Sequence, residues 1–207
     1  MKVKKLLAAV LTVLLILPAA ACASSSGLSE DEIRETYRAL IEASYELNEI
    51  YYGSGLPYEA DIDIMSALTG MDAAALRVSY MPVAATAVYQ SEAAIRAATE
   101  KVFSEDMCSH LFTLAFNGIS VGEDVEETVA YARYIEQDGV LTVRLGLDGE
   151  ALPMGRTYDF AGMKVLQNED GRIRASFPTA IDGEKSVDVR IALVKNADGW
   201  RLDSPTY

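Results

Sequence analysis

The chain is poor in the residues on which most catalytic and metal chemistry depends. Its 207 residues include one histidine, His110, one tryptophan and two cysteines, Cys22 and Cys108. A Ser-His or Cys-His hydrolase would have to use His110. On the helix that its neighbours predict, His110 falls beside Asp106 and Thr113 on a polar stripe, while Cys108 points to the apolar side. The two do not face one site, and a solvated histidine is expected. One histidine with so few cysteines excludes a conventional protein zinc site, and no acid cluster has calcium-loop spacing. Glu59, Asp61 and Asp63 alternate as three carboxylates on one strand face would, but solvated loop acids are the simpler role. No metal and no cofactor is expected. Bases are scarce too, with 18 Lys and Arg against 31 Asp and Glu. Such a surface repels phosphate backbones and favours cationic partners, which removes nucleic acid from the possible ligands. With 50% hydrophobic and 24% charged residues, the composition fits one compact domain rather than a disordered or multi-span chain.

The N-terminus has a distinct pattern. Lys2, Lys4 and Lys5 precede an apolar run from Leu6 to Leu17, then Pro18 and three alanines. This is the pattern of an export signal over residues 1–21. From Leu6 to Ala21 it counts 16 residues, short of the roughly 20 that a spanning helix needs. Ala19-Ala20-Ala21-Cys22, followed by Ala23-Ser24-Ser25-Ser26-Gly27, resembles a bacterial lipobox, differing at Ala19, where leucine is commoner. The resemblance implies a diacylglyceryl group on Cys22 and a stable anchor on the outer face of the cell membrane. Plain cleavage after Ala21 or Ala23 is the alternative. Residues 22–28 would then be a lipidated cysteine with a tether, and 29–207 a single domain. Losing the three leader lysines and no acid takes the net charge from −13 to −16. Cys108 has no partner for an internal disulfide.

Ser29 and Glu32 form a capping box. Behind them Ile33, Tyr37, Leu40, Ser44, Leu47 and Tyr51 recur at spacings of three and four, widened by Ile41, Tyr45 and Tyr52, and predict a helix from Glu30 to Tyr52. Gly53-Ser54-Gly55 stops it and Pro57 forbids its resumption. The stretch from Tyr58 to Val83 reads as a loop with a strand near Val78 to Val83. A second helix is predicted from Ser91 to Phe103, with Glu92, Arg96 and Glu100 pairing on its wet side. A third follows Ser104 and ends at Asn117-Gly118. From Val125 the period becomes two: Tyr131, Arg133 and Ile135 share a face, as do Leu141, Val143 and Leu145 beyond the turn Asp138-Gly139. Further turns fall at Asp170-Gly171, Asp182-Gly183 and Asp198-Gly199, with Val187, Val189, Ile191 and Leu193 on one face of the strongest strand. Helices followed by about five or six antiparallel strands in one curved sheet give an α+β fold.

A long first helix, two shorter ones and a curved meander resemble the nuclear-transport-factor-2-like and cystatin-like architectures. The closing stretch from Trp200 to Tyr207 is similar to the last strand of small bacterial surface lipoproteins of that kind. Gly55-Leu56-Pro57-Tyr58, the strand Tyr80-Met81-Pro82-Val83 and the helix end Val102-Phe103-Ser104 resemble the secreted inhibitor family of bacterial cell-wall DL-endopeptidases (IseA-like) over the middle third of the chain. That resemblance implies a non-catalytic module restraining a basic wall hydrolase. Tyrosine is abundant, at 11 residues, and Tyr51, Tyr52 and Tyr58 bracket the Gly-Ser-Gly-Leu-Pro turn. Aromatic rings around a constrained loop make a contact surface at low entropic cost. Tyr52, Leu56, Pro57 and Tyr58 are therefore the candidate partner-binding residues, although Tyr51 fits the apolar stripe of the helix. The expectation is a monomeric, membrane-anchored extracellular binding module. The alternatives are a cone-shaped isomerase or dehydratase using Tyr131, Tyr134, Tyr158 or Asp159 as proton shuttle and oxyanion donor, and a small-ligand sensor.

Overall fold

A computed structural model describes residues 27–59, 79–121, 128–152 and 155–207. The expected export signal, Cys22 and its tether as far as Ser26, and Asp61 and Asp63, lie outside them. Helix α1 spans Glu30–Tyr51, α2 Glu92–Val102 and α3 Glu105–Phe112, each begun by a serine. The Ser29 hydroxyl accepts from the Glu32 amide, and the Glu32 carboxylate accepts from the Ser29 amide at 2.8 Å, the reciprocal box that its spacing predicts. Ser91 and Ser104 each accept from the amide three residues on, at 3.2 Å. Each hydroxyl satisfies one N–H that the first helical turn leaves without a backbone partner.

The spacing predicts α3 as a regular helix up to Asn117, but its end is a π-helical turn over Thr113–Asn117, closed by the Gly118 amide donating to Thr113 O at 3.1 Å. The widened turn accompanies a cation between two rings. The Arg96 guanidinium lies 4.3 Å from the Phe112 centroid and 4.7 Å from that of Phe116. Arg96 also pairs with Glu92 at 2.5 Å, one turn back on α2, as expected.

The strands follow in chain order: β1 Tyr80–Pro82, β2 Ile119–Val121, β3 Thr128–Ala130, β4 Tyr134–Gln137, β5 Val140–Arg144, β6 Arg156–Tyr158, β7 Lys164–Glu169, β8 Arg172–Phe177, β9 Thr179–Ile181, β10 Glu184–Lys185, β11 Val189–Asn196 and β12 Gly199–Leu202. All pairings between them are antiparallel, and the fold is α+β. Its described strands are divided among a β1-β5-β4 sheet, a β10-β9-β6 sheet, a β12-β11-β8-β7 sheet and a β2-β3 ribbon. Period-two patterning marks strands but not which strands pair, so the single sheet of five or six that it suggests becomes several short ones. The Asp-Gly turns close three hairpins with positive φ at Asp138, Asp170 and Asp182 and at the glycine after each.

Two faces differ from expectation. Tyr131 and Ile135 are 39% and 40% exposed, whereas Tyr134 is buried completely. Arg133, which the alternation groups with Tyr131 and Ile135, is buried instead, because β4 begins only at Tyr134, which pairs with Val143 and shares its inward face. Val187 is 73% exposed because the strand starts only at Val189; Asp182-Gly183 closes the small β9-β10 hairpin before it.

The core joins α1 to the four-stranded sheet. Ile33, Tyr37, Ile41, Leu47, Ile50 and Tyr51 pack with Ile173, Ala175, Phe177, Ile191, Leu193 and Leu202. The buried stripe passes through Ile41 and Asn48 rather than Leu40 and Tyr45, so Tyr45 lies exposed. Two polar residues on this stripe have a purpose that helical spacing does not reveal. Ser44 Oγ lies 2.6 Å from Thr206 Oγ1, and the Asn48 side-chain amide donates to the same oxygen at 3.0 Å. Tyr158 donates to Thr206 O at 3.0 Å, and the Tyr207 ring stacks on Tyr52 at 4.0 Å. These contacts fasten the final residues along α1.

Candidate functional site

The loop after α1 is built before it is exposed. The Gly53 amide donates to Asn48 O and Glu49 O, and Gly55 takes φ +83°, a conformation that disfavours side chains. A Cβ on Gly55 would come within 2.8 Å of Leu147 Cδ1 and 3.0 Å of the Tyr134 hydroxyl. The loop therefore passes close over β4 and the Leu147 turn, and glycine is the residue that permits it.

Two side chains from the start of β4 hold the loop. Arg133 is buried; its Nε donates to Ile50 O at 2.9 Å and its Nη2 donates to Gly53 O. The Tyr134 hydroxyl accepts from the Leu56 amide at 3.0 Å and donates to Ile50 O at 3.2 Å. Burial pushes the Tyr134 phenol up to about 12, with the adjacent Arg133 charge opposing that rise. Burial also lowers Arg133 from its usual value, and the Tyr134 phenol opposes this. A second buried cation, Arg144, pairs with both oxygens of Glu150 at 3.0 and 2.6 Å. Thus the two guanidiniums divide their work: Arg133 caps the carbonyls at the end of α1, and Arg144 takes a carboxylate. Neither was a candidate from sequence. An arginine beside a tyrosine at the head of an alternating segment was the one available signal.

The four candidate contact residues separate into two pairs. Leu56 is buried in the core cluster, and Tyr52 is half-buried under Tyr207, its phenol raised by burial and by that neighbour. Pro57 is exposed and Tyr58 is 37% exposed. Tyr58 forms an antiparallel bridge with Val83, and the Ala84 amide donates to Pro57 O at 2.8 Å. Glu59 extends this ledge and accepts from the Ala85 amide at 3.1 Å. Tyr51 belongs to the core, donating or accepting at Thr99 Oγ1 over 2.7 Å.

Of the four residues of the candidate proton-transfer set, Tyr134, Tyr158 and Asp159 bond to separate parts of the fold. Tyr134 serves the loop, and Tyr158 serves Thr206. The Asp159 carboxylate is exposed and accepts from the amides of Ala161 and Gly162 at 3.0 and 3.1 Å, while Tyr131 is part-exposed before β4. His110 is exposed on α3 and Cys108 is buried there, so the two side chains do have opposite surroundings. Burial pushes the Cys108 thiol up to about 11. Among the described residues, no group of three or more His, Cys, Asp or Glu is placed to hold a metal ion, and no helix is long and apolar enough to cross a membrane.

A second concave feature lies elsewhere, where the α2–α3 corner faces the β11–β12 turn. It is an open groove of about 510 Å³. Phe112, Phe103 and Cys108 form its apolar side, and Glu100, Glu105 and Asp198 supply carboxylates. The chain matches no family model and no curated protein.

Proposed function

We propose that the protein is a membrane-anchored extracellular binding module that restrains a basic partner, and that this partner is a cell-wall DL-endopeptidase. The observation that carries this reading is the prepared ledge at Pro57 and Tyr58. The loop leading into it is held by Arg133 at Gly53 and by Tyr134 at Leu56, and the ledge itself by Val83 and the Ala84 amide, while its outermost rings remain accessible. A loop ordered before encounter gives up little conformational entropy on binding, and tyrosine supplies contact area with few rotatable bonds. The net charge of −16 after leader removal supports the choice of a basic partner, because opposite charge accelerates encounter. Membrane anchoring rests on the residue pattern around Cys22, and the hydrolase on the resemblance of the Gly55–Tyr58, Tyr80–Val83 and Val102–Ser104 segments.

Immobilised DL-endopeptidase and the purified chain test this reading by association kinetics. Association should slow as salt rises from 50 to about 300 mM, since screening shortens the reach of the field. Tyr58→Ala should cost about 1–3 kcal/mol of binding, mainly as faster dissociation. Absence of binding across several such enzymes, or an unchanged dissociation rate in Tyr58→Ala, overturns the assignment.

A further inference from the structure

We propose that the groove between α2, α3 and the β11–β12 turn receives a lysine or arginine side chain from an extended basic segment of a protein partner. Its walls carry both kinds of chemistry that such a side chain requires, apolar surface and carboxylates. Glu100 sits in the last turn of α2, Glu105 is the first residue of α3, and Asp198 lies in the β11–β12 turn across from them. None of these three carboxylates has an ion-pair or hydrogen-bond partner among the described residues. Phe112 and the edges of Phe103 and Cys108 offer apolar surface between them. Long cationic side chains pack their methylene stems on such surface while the charged head meets the carboxylates.

Arg96 lies over the Phe112 ring, already paired with Glu92, and a second cation, Arg201, borders the groove. Its Nε donates to Glu100 O at 2.8 Å and its Nη1 to Trp200 O at 2.9 Å, so its guanidinium is engaged by backbone carbonyls. Arg96 is offset by Glu92, so three carboxylates against the one charge of Arg201 leave the groove with an excess of negative charge. Its openness selects a segment over a small free amine. Pockets for small molecules enclose most of their ligand, whereas this groove lies open and has carboxylates on both walls, which suits successive cations along a chain. Approach of a basic macromolecule is also favoured by the net charge of the whole molecule. The groove shares no residue with the Pro57–Tyr58 ledge, so either assignment stands without the other.

The test is fluorescence anisotropy with the full chain and a capped, fluorescein-labelled tetralysine peptide in low salt. Saturable binding is expected. Glu105→Gln combined with Asp198→Asn should weaken it about tenfold. Glu42→Gln combined with Glu184→Gln changes the net charge equally at exposed sites elsewhere and should weaken it less than about twofold. Ser109→Lys, an exposed groove position, places a cation inside and should abolish binding even if the first pair folds poorly. Equal losses in the two charge pairs would mean attraction by the general field and would overturn the assignment, as would non-saturable binding or a neutral Ser109→Lys. Displacement of the peptide by spermidine at equal concentration would assign the groove to free polyamines instead and overturn the peptide occupant. If DL-endopeptidase binding survives in the Glu105/Asp198 variant while tetralysine binding is lost, the groove and the ledge are separate sites.

Discussion

Replacing Tyr134 with phenylalanine removes one oxygen and isolates the bond that holds the exposed ledge. The ring keeps its place beside Phe116, 6.2 Å away, so little packing is lost. Ile50 O loses one donor but still accepts from Arg133 Nε. The Leu56 amide fares worse, because Leu56 is buried and the Tyr134 hydroxyl is the acceptor that satisfies its N–H. A buried donor left without a partner costs about 1–3 kcal/mol, and the surviving Arg133 bonds place the expected loss at about 2 kcal/mol. Urea unfolding should show a lower midpoint with an unchanged slope, since the surface exposed on unfolding is the same. Native-state hydrogen exchange should show a matching local effect, with the Leu56 amide losing protection far more than the β8 and β11 amides. A loss below about 0.5 kcal/mol with full protection at Leu56 would refute the reasoning and place the loop's support elsewhere.

Other consequences follow from the same contacts. Gly55→Ala should destabilise by about 1–3 kcal/mol in urea unfolding, because it combines positive φ with approaches to Leu147 and Tyr134. Cys108 should resist alkylation in the folded protein at neutral pH, because its raised pKa leaves little thiolate. The thiol ionises first in the unfolded chain, so its contribution to stability is complete below about pH 9 and is lost as pH rises towards about 11. Cys108→Ala should therefore show a shallower fall in melting temperature across that interval. Changing Cys22 to serine should move the protein from the membrane fraction to the medium and abolish palmitate labelling; unchanged fractionation and an unlabelled wild type would refute lipidation.

Local chemistry made part of this molecule legible. Ser29 with Glu32, Ser91 and Ser104 mark helix starts because a cap needs only its own first turn, and the Asp-Gly pairs mark hairpins because positive φ is a property of two residues. The features that escaped depend on distant partners. Nothing near Ser44 or Asn48 announces Thr206, some 160 residues on, so a helical stripe containing both looks merely less apolar than it should. Arg133 reads as one more residue in an alternating run, yet it is buried because the carbonyls of Ile50 and Gly53 await it. The same applies to the candidate site. Pro57 and Tyr58 lie where a constrained turn should show its rings, but Leu56 was claimed by the core and Tyr52 by Tyr207. The groove joins residues 100–112 with Asp198, a juxtaposition created by the parallel bridge between Phe103 and Leu202.

Hydrolysis of purified peptidoglycan by DL-endopeptidases measures the proposed restraint of a wall hydrolase. Release of new amino groups is followed while the purified chain is titrated from below to well above the enzyme concentration. A dose-dependent fall in rate is expected, one that saturates, weakens in Tyr58→Ala and weakens again as salt rises. An unchanged rate at every concentration, across several such enzymes, would contradict it.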